Sequence, residues 1–144
     1  RRQVKLSLFV SDRLSKLHID PILIEQVLIN LLKNAAEAIE HAQRPVNQRY
    51  VELQLVPKEV EGQDVVEFSV SDSGSGMTAE VMERVFEAFY TTKNEGMGIG
   101  LNLCRTIIES HQGRMTAENI YNGKLIVGGR FSFWLPASKT LIPL

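Results

Sequence analysis

Apolar and polar residues alternate with a period of two in five stretches of this chain and follow a helical period in three others. Val4, Leu6, Leu8 and Val10 alternate with Lys5, Ser7 and Phe9, which predicts a strand with one buried face. Leu17-His18-Ile19 reads as a short extended piece. Asp20-Pro21 then supplies a capping side chain and a proline at the first helical position, predicting a helix to about Ala42. Leu28, Leu32, Ala35 and Ile39 are expected on its sheet-facing side, and Pro45-Val46-Asn47 forms a turn. Val51, Leu53 and Leu55, then Val66, Phe68 and Val70, give two further alternating strands, and the polar connection from Pro57 to Asp64 between them makes a hairpin. Thr78 caps a short helix through roughly Val85. A third helix, Gly100 to His111, keeps Leu101, Cys104, Ile107 and Ile108 on one side. Arg114 to Asn119 and Arg130 to Leu135 form a closing hairpin with Phe131, Phe133 and Leu135 inward.

Because every strand alternates, each should bury one face only, and the helices must cover a single side of the sheet. The expected architecture is a two-layer α/β sandwich, a mixed and mostly antiparallel sheet with three helices on one face. The chain has 144 residues, 44% of them hydrophobic, enough for one domain with a proper core. A net charge of −1 gives no field that would draw nucleic acid or an anionic membrane, and a single cysteine, Cys104, leaves no internal disulfide and fits a reducing compartment. No apolar run reaches membrane-spanning length and no signal peptide is visible. The chain opens on Arg1 directly before a strand pattern, without an initiator Met, so it is expected to be a piece of a longer protein.

Three regions carry polar chemistry. Gly96, Gly98 and Gly100 alternate with Met97 and Ile99 immediately before the third helix. Bare glycine N–H groups and a helix N-terminus together suit a phosphate, and Thr91, Thr92 and Lys93 just upstream could add donors. The plain alternative is a loop in which the glycines merely terminate structure. On the long helix, Gln26, Asn30, Lys33, Asn34, Glu37 and His41 share one stripe. Such a stripe is ordinarily a solvated face, but asparagine is a poor helix former, and two amide oxygens one turn apart can approach a hard cation such as Mg²⁺. Asp72, in D-S-G-S-G, is either turn chemistry or a carboxylate at a strand end that accepts from an exocyclic amine such as that of adenine, with Gly74 and Gly76 allowing close approach of the base.

N-L-L-K-N-A on a helix, D-S-G-S-G-M after a strand and G-M-G-I-G-L opening a helix occur in that order, with F-E-A-F-Y-T-T-K between the last two. This ordered set resembles the ATP-binding catalytic domain of sensor histidine kinases, in the superfamily shared with gyrase, Hsp90 and MutL ATPases, over about Asp20 to Leu135. The segment F-Y-T-T-K, G-M-G-I-G-L and R-T-I-I-E-S-H is similar to FixL-like and NtrB-like kinases in particular. The resemblance implies a Bergerat-type fold, ATP and Mg²⁺ as cofactors, and transfer of the γ-phosphoryl group to a histidine. It implies Asn34 as the Mg²⁺ ligand, with Asn30 supporting metal or phosphates and Lys93 reaching the phosphates. It places Asp72 on the adenine amine and Gly74, Gly76, Gly128 and Gly129 around the base. Phe86 and Phe89 would anchor a mobile lid, Thr92 would face the nucleotide, and Gly96, Gly98 and Gly100 would present N–H groups to the phosphates above Leu101.

Three positions depart from the family pattern: Glu37 stands where relatives often carry a basic residue, Gln112 where they carry glycine, and Gly129 where they carry threonine. The sibling ATPases hydrolyse ATP with a glutamate four residues before the metal asparagine. Asn30 stands there and cannot act as a general base, which favours phosphoryl transfer over hydrolysis. The acceptor histidine of such kinases lies in an H-E-x-x-x-P-like motif on a separate dimeric helical domain. His18, His41 and His111 lack that context and read as structural, so the chain alone is not expected to phosphorylate itself. The implied partners are the acceptor domain, which would make a homodimer, and a response regulator, with neither nucleic acid nor direct membrane contact. A cytoplasmic location follows, within a parent that the inner membrane can anchor. A dinucleotide-binding module fits less well, since the acid precedes the glycines and the strands alternate. A P-loop is absent, because Leu125 follows Gly123-Lys124. A degenerate nucleotide-sensing module is disfavoured by the intact Asn34, Asp72 and glycine-rich stretch.

Overall fold

The computed structural model describes residues 3–87 and 100–138. The chain runs β1 (Lys5–Val10), α1 (Pro21–Ala42), β2 (Tyr50–Val60), β3 (Gln63–Asp72), α2 (Ala79–Arg84), α3 (Gly100–Ser110), β4 (Arg114–Asn122) and β5 (Leu125–Pro136). The strands form a sheet in the order β1-β2-β3-β5-β4, with β1 parallel to β2 and the other pairs antiparallel. The helices pack on one face, and the other is lined by polar side chains including Gln54, Lys58, Glu67, Thr116, Glu118 and Arg130. The expected two-layer mixed sandwich is therefore the observed one. No helix among the described residues is long and apolar enough to cross a membrane.

α1 begins where its sequence dictates: Asp20 Oδ1 accepts from the N–H groups of Ile22 and Leu23 at 3.0 and 3.3 Å, satisfying donors that the first turn leaves open. The far end of α3 is tied to the same point. His111 Nε2 accepts from the Asp20 N–H at 3.1 Å, and Nδ1 lies 2.8 Å from the Ile107 carbonyl. The tautomer with its proton on Nδ1 satisfies both bonds, so His111 is a bridge between helices, as a structural histidine should be.

The face of α1 that meets the sheet is rotated from the expected one. Ile24, Val27, Leu31, Ala35 and Ile39 are buried, whereas Leu28 and Leu32 are only partly covered. The first half of α1 is apolar nearly all round, so periodicity alone did not fix its orientation. β1 departs further. Leu6 and Leu8 lie beside Val51 and Leu53 in register yet remain 67% and 65% exposed, so no buried face forms. β1 is the edge strand, and α1 packs over β2 and β3.

The hairpins are longer than their alternation suggested. β2 and β3 stay paired to Val60 and Gln63, turning on Glu61 and Gly62, both at positive φ. Pro57 is tolerated because β1 ends opposite Leu55, leaving no neighbour to miss its N–H. Beneath the helices, Phe68 and Phe133 stack at 4.6 Å with their planes 12° apart.

Candidate functional site

β3 ends on Asp72, directly opposite Gly129 of β5. Asp72 as a residue is only 3% exposed. Oδ1 accepts from the N–H of Gly74 at 2.8 Å and of Gly129 at 3.3 Å, while Oδ2 accepts no hydrogen bond among the described residues. Burial raises the Asp72 pKa, opposed by the two backbone N–H groups and by the Arg44 guanidinium. The carboxylate thus has one oxygen held by the protein and one left to take a donor.

The backbone around it is close-fitting. A Cβ on Gly74 would stand 2.8 Å from that of Ala38 on α1, so the loop can touch the helix only without a side chain. Gly76 has a φ of 77°, a conformation glycine takes without penalty, and a side chain there would also strike Ile126. A Cβ on Gly128 would collide with the Asp72 carbonyl, whereas one on Gly129 would lie an ordinary 3.8 Å from Asp72 Oδ2 and Met77 Cε. Position 129 therefore has room for the side chain that relatives were expected to carry there.

From Ala38 the site runs back along α1. Asn34 and Asn30 lie one and two turns before it on the same side, a span of about 12 Å. Both are half-buried. Asn30 Oδ1 lies 3.6 Å from where a Cβ on Gly100 would stand, so its amide meets the first residue of α3. The Cys104 thiol lies 4.0 Å from the Val27 carbonyl. The Asn30 amide lowers its pKa, but burial outweighs that and pushes the thiol up to about 11, so the cysteine is neutral packing. Leu101 is half-buried against the core, and Phe86 packs edge-on to Phe131 at 6.1 Å.

The structure thus gathers Asp72, Gly74, Gly76 and Gly129 at one end and Asn30, Gly100 and Leu101 at the other, with Asn34 between. Phe89, Thr92, Lys93, Gly96 and Gly98 lie outside the described residues. Gln112 has a φ of 62°, which explains why glycine suits that position. Two contributing residues escaped the sequence reading. Arg44, just past α1, bonds the Ser73 and Gly74 carbonyls, and Asn119 of β4 bonds both backbone groups of Met77. An asparagine inside a strand pattern was the available signal for the second; nothing local marked the first.

A two-layer α/β domain with a buried carboxylate at a strand end and helix-borne amides one and two turns back along the adjoining helix is built like a nucleotide-binding domain. The chain belongs to the family described as histidine kinase-, DNA gyrase B-, and HSP90-like ATPase, which matches residues 19–139. It is 44% identical over 119 residues to the sensor protein FixL of Bradyrhizobium diazoefficiens, covering 83% of this chain and 21% of that one. The catalytic domain of histidine kinase ThkA superposes with a TM-score of 0.74 at 32% identity, covering 93% of this chain and 79% of that one. Full-length ShkA in complex with AMPPNP gives a TM-score of 0.72 at 27% identity, over 98% of this chain and 27% of that one. The chain therefore spans about a fifth of the length of FixL. It is the ATP-binding catalytic domain type found in sensor histidine kinases.

Proposed function

We propose that residues 1–144 form a single catalytic domain of a longer sensor kinase, which binds ATP with Mg²⁺ and passes the γ-phosphoryl group to a histidine on a separate acceptor domain. The observation that carries this reading is the Asp72 carboxylate, whose Oδ1 is occupied by Gly74 and Gly129 while Oδ2 stays unclaimed among the described residues. An acceptor-only group in a nearly dry setting suits an exocyclic amine and opposes a carbonyl, which selects adenine over guanine. A nucleotide seated there would extend along α1 past Asn34 toward Asn30 and Gly100.

The donor set fits the metal. No group of three or more His, Cys, Asp or Glu side chains among the described residues could hold an ion. Asn34 offers one half-buried amide oxygen, which suits a cation that brings its own waters and phosphate ligands. When bound, Mg²⁺ neutralises charge on the transferring phosphoryl group. Asn34 would hold it, Asn30 would orient the phosphates from the next turn, and the start of α3 would offer them N–H groups. With no carboxylate at position 30 to activate water, the domain serves to align ATP for an incoming imidazole. The acceptor domain, joining two such chains, and a response regulator would be the protein partners, on the cytoplasmic side.

Calorimetric titration of this chain with ATP, GTP and NADH, with and without Mg²⁺, tests the reading. Binding of ATP with Mg²⁺ in preference to both other ligands is expected; equal binding of GTP would remove the role of Asp72.

A further inference from the structure

The loop from Asp72 to Met77 is gripped near both ends by side chains outside it. Arg44 donates Nε to the Ser73 carbonyl at 2.5 Å and Nη2 to the Gly74 carbonyl at 3.0 Å. Asn119 accepts the Met77 N–H at 2.7 Å and donates Nδ2 to the Met77 carbonyl at 2.8 Å, pairing that residue as a neighbouring strand would. We propose that Arg44 and Asn119 are positioning residues that set this loop, and with it the aim of the Asp72 carboxylate, before a nucleotide arrives. The inference rests on the nucleotide reading of the site and adds to it the parts that act through the backbone.

The reasoning follows from peptide planarity. The Ser73 carbonyl and the Gly74 N–H belong to one trans peptide unit and point in opposite directions. When Arg44 fixes the carbonyl on one side, the N–H is fixed on the other, and that N–H is the 2.8 Å donor to Asp72 Oδ1. A planar guanidinium reaches two adjacent carbonyls at once, which a lysine ammonium does less well. Asn119 holds the loop where it leaves Gly76, whose positive φ turns the chain. The two grips differ in charge. The groups that act on the Asp72 charge are the Arg44 guanidinium and the N–H groups of Gly74 and Gly129, whereas Asn119 is neutral. Loss of Arg44 removes a stabiliser of the ionised carboxylate; loss of Asn119 does not.

This difference supplies the test. ATP affinity of the chain is measured by calorimetry with Mg²⁺ between about pH 5.5 and pH 8, the range above an unperturbed carboxylate pKa. Wild type, Asp72→Asn, Arg44→Ala, Arg44→Lys and Asn119→Ala are compared, with thermal melting recorded at each pH. Arg44→Ala is expected to bind roughly tenfold more weakly near neutrality, with the deficit widening as pH falls because Asp72 protonates earlier. Asn119→Ala is expected to weaken binding to a similar degree with a pH profile parallel to wild type. Arg44→Lys should restore the wild-type pH profile but only part of the affinity, and it decides the matter if Arg44→Ala does not fold. A pH-independent loss in Arg44→Ala, tracking a lower melting temperature, would make the arginine a structural brace and overturn the proposal. So would wild-type affinity in both alanine variants while Asp72→Asn loses binding, and in that case the nucleotide reading would stand. Failure of the wild type to bind ATP would sink the nucleotide reading itself, and the proposal with it.

Discussion

The two ends of the site are built on opposite principles. At the Asp72 end the working group is a carboxylate almost removed from water, its near oxygen held by two backbone N–H groups and its loop held by Arg44 and Asn119. At the Asn30 end the working groups are half-buried amides on the flank of a helix, one of them against Gly100 and Cys104. A base is a rigid plate recognised by one well-aimed acceptor, so fixing that acceptor beforehand saves ordering entropy on binding. Phosphates carry diffuse charge met by several donors and a cation, so helix geometry suffices to place single ligands there. In the proposed reading, fitted backbone would read the base and helix periodicity would place the ligands of the phosphates.

Substitutions can break this contrast. The largest effect is expected at Gly128, where a Cβ collides with the Asp72 carbonyl. Gly128→Ala must spread β3 from β5, costing about 3 kcal/mol, and thermal unfolding should show a fall of many degrees with loss of ATP binding. Next comes Asp72→Asn, which keeps the shape and removes the charge. ATP affinity should drop between about ten- and a hundredfold by calorimetry, with little change in the fold.

The sign of the stability effect follows from the direction of the pKa shift. Burial raises the Asp72 pKa, so its contribution is most favourable below the unfolded-state value and declines as pH rises through the folded-state value. Ligand-free Asp72→Asn should therefore melt no lower than wild type near neutrality, and its relative advantage should shrink on acidification. A lower melting temperature at neutral pH would show that the carboxylate is needed for the fold itself.

At the other end, Asn34→Ala should remove Mg²⁺-dependent tightening of ATP binding. The same change should leave the fold intact or stabilise it by roughly 0.5 kcal/mol, since alanine is the better helix former. Paired Mg²⁺ titration and melting curves check this. The smallest effect is expected from Gly129→Ala, where the new methyl has ordinary contact distances. ATP affinity should stay within about threefold, a change below 1 kcal/mol, in contrast to its neighbour Gly128.

Local chemistry is what the sequence made legible. Asp20-Pro21 located the start of α1 to the residue because cap and proline act within one turn. Asn30, Asn34 and Asp72 stood out because each residue type was out of place in its element. Alternation in β1 identified the strand and its apolar face, but it could not reveal that Leu6 and Leu8 stay exposed at the sheet edge among the described residues. The orientation of α1 was ambiguous for the reason that its first half is apolar on most sides. Arg44 and Asn119 were hidden more deeply, because each acts on a loop 29 to 42 residues away and bonds backbone atoms that every residue possesses.

The pairing of Asp72 with Gly129 also has a consequence for the order in which the domain assembles. β2 and β3 form a local hairpin, as do β4 and β5, but the bond from Gly129 to Asp72 spans 57 residues. Contacts of such separation are met late, after chain entropy has been given up over the intervening segment. A chain emerging from the ribosome therefore has α1 and Asp72 long before the proposed base site is complete. Nucleotide binding would accordingly report that the two hairpins have joined, and ATP would stabilise only molecules in which they have.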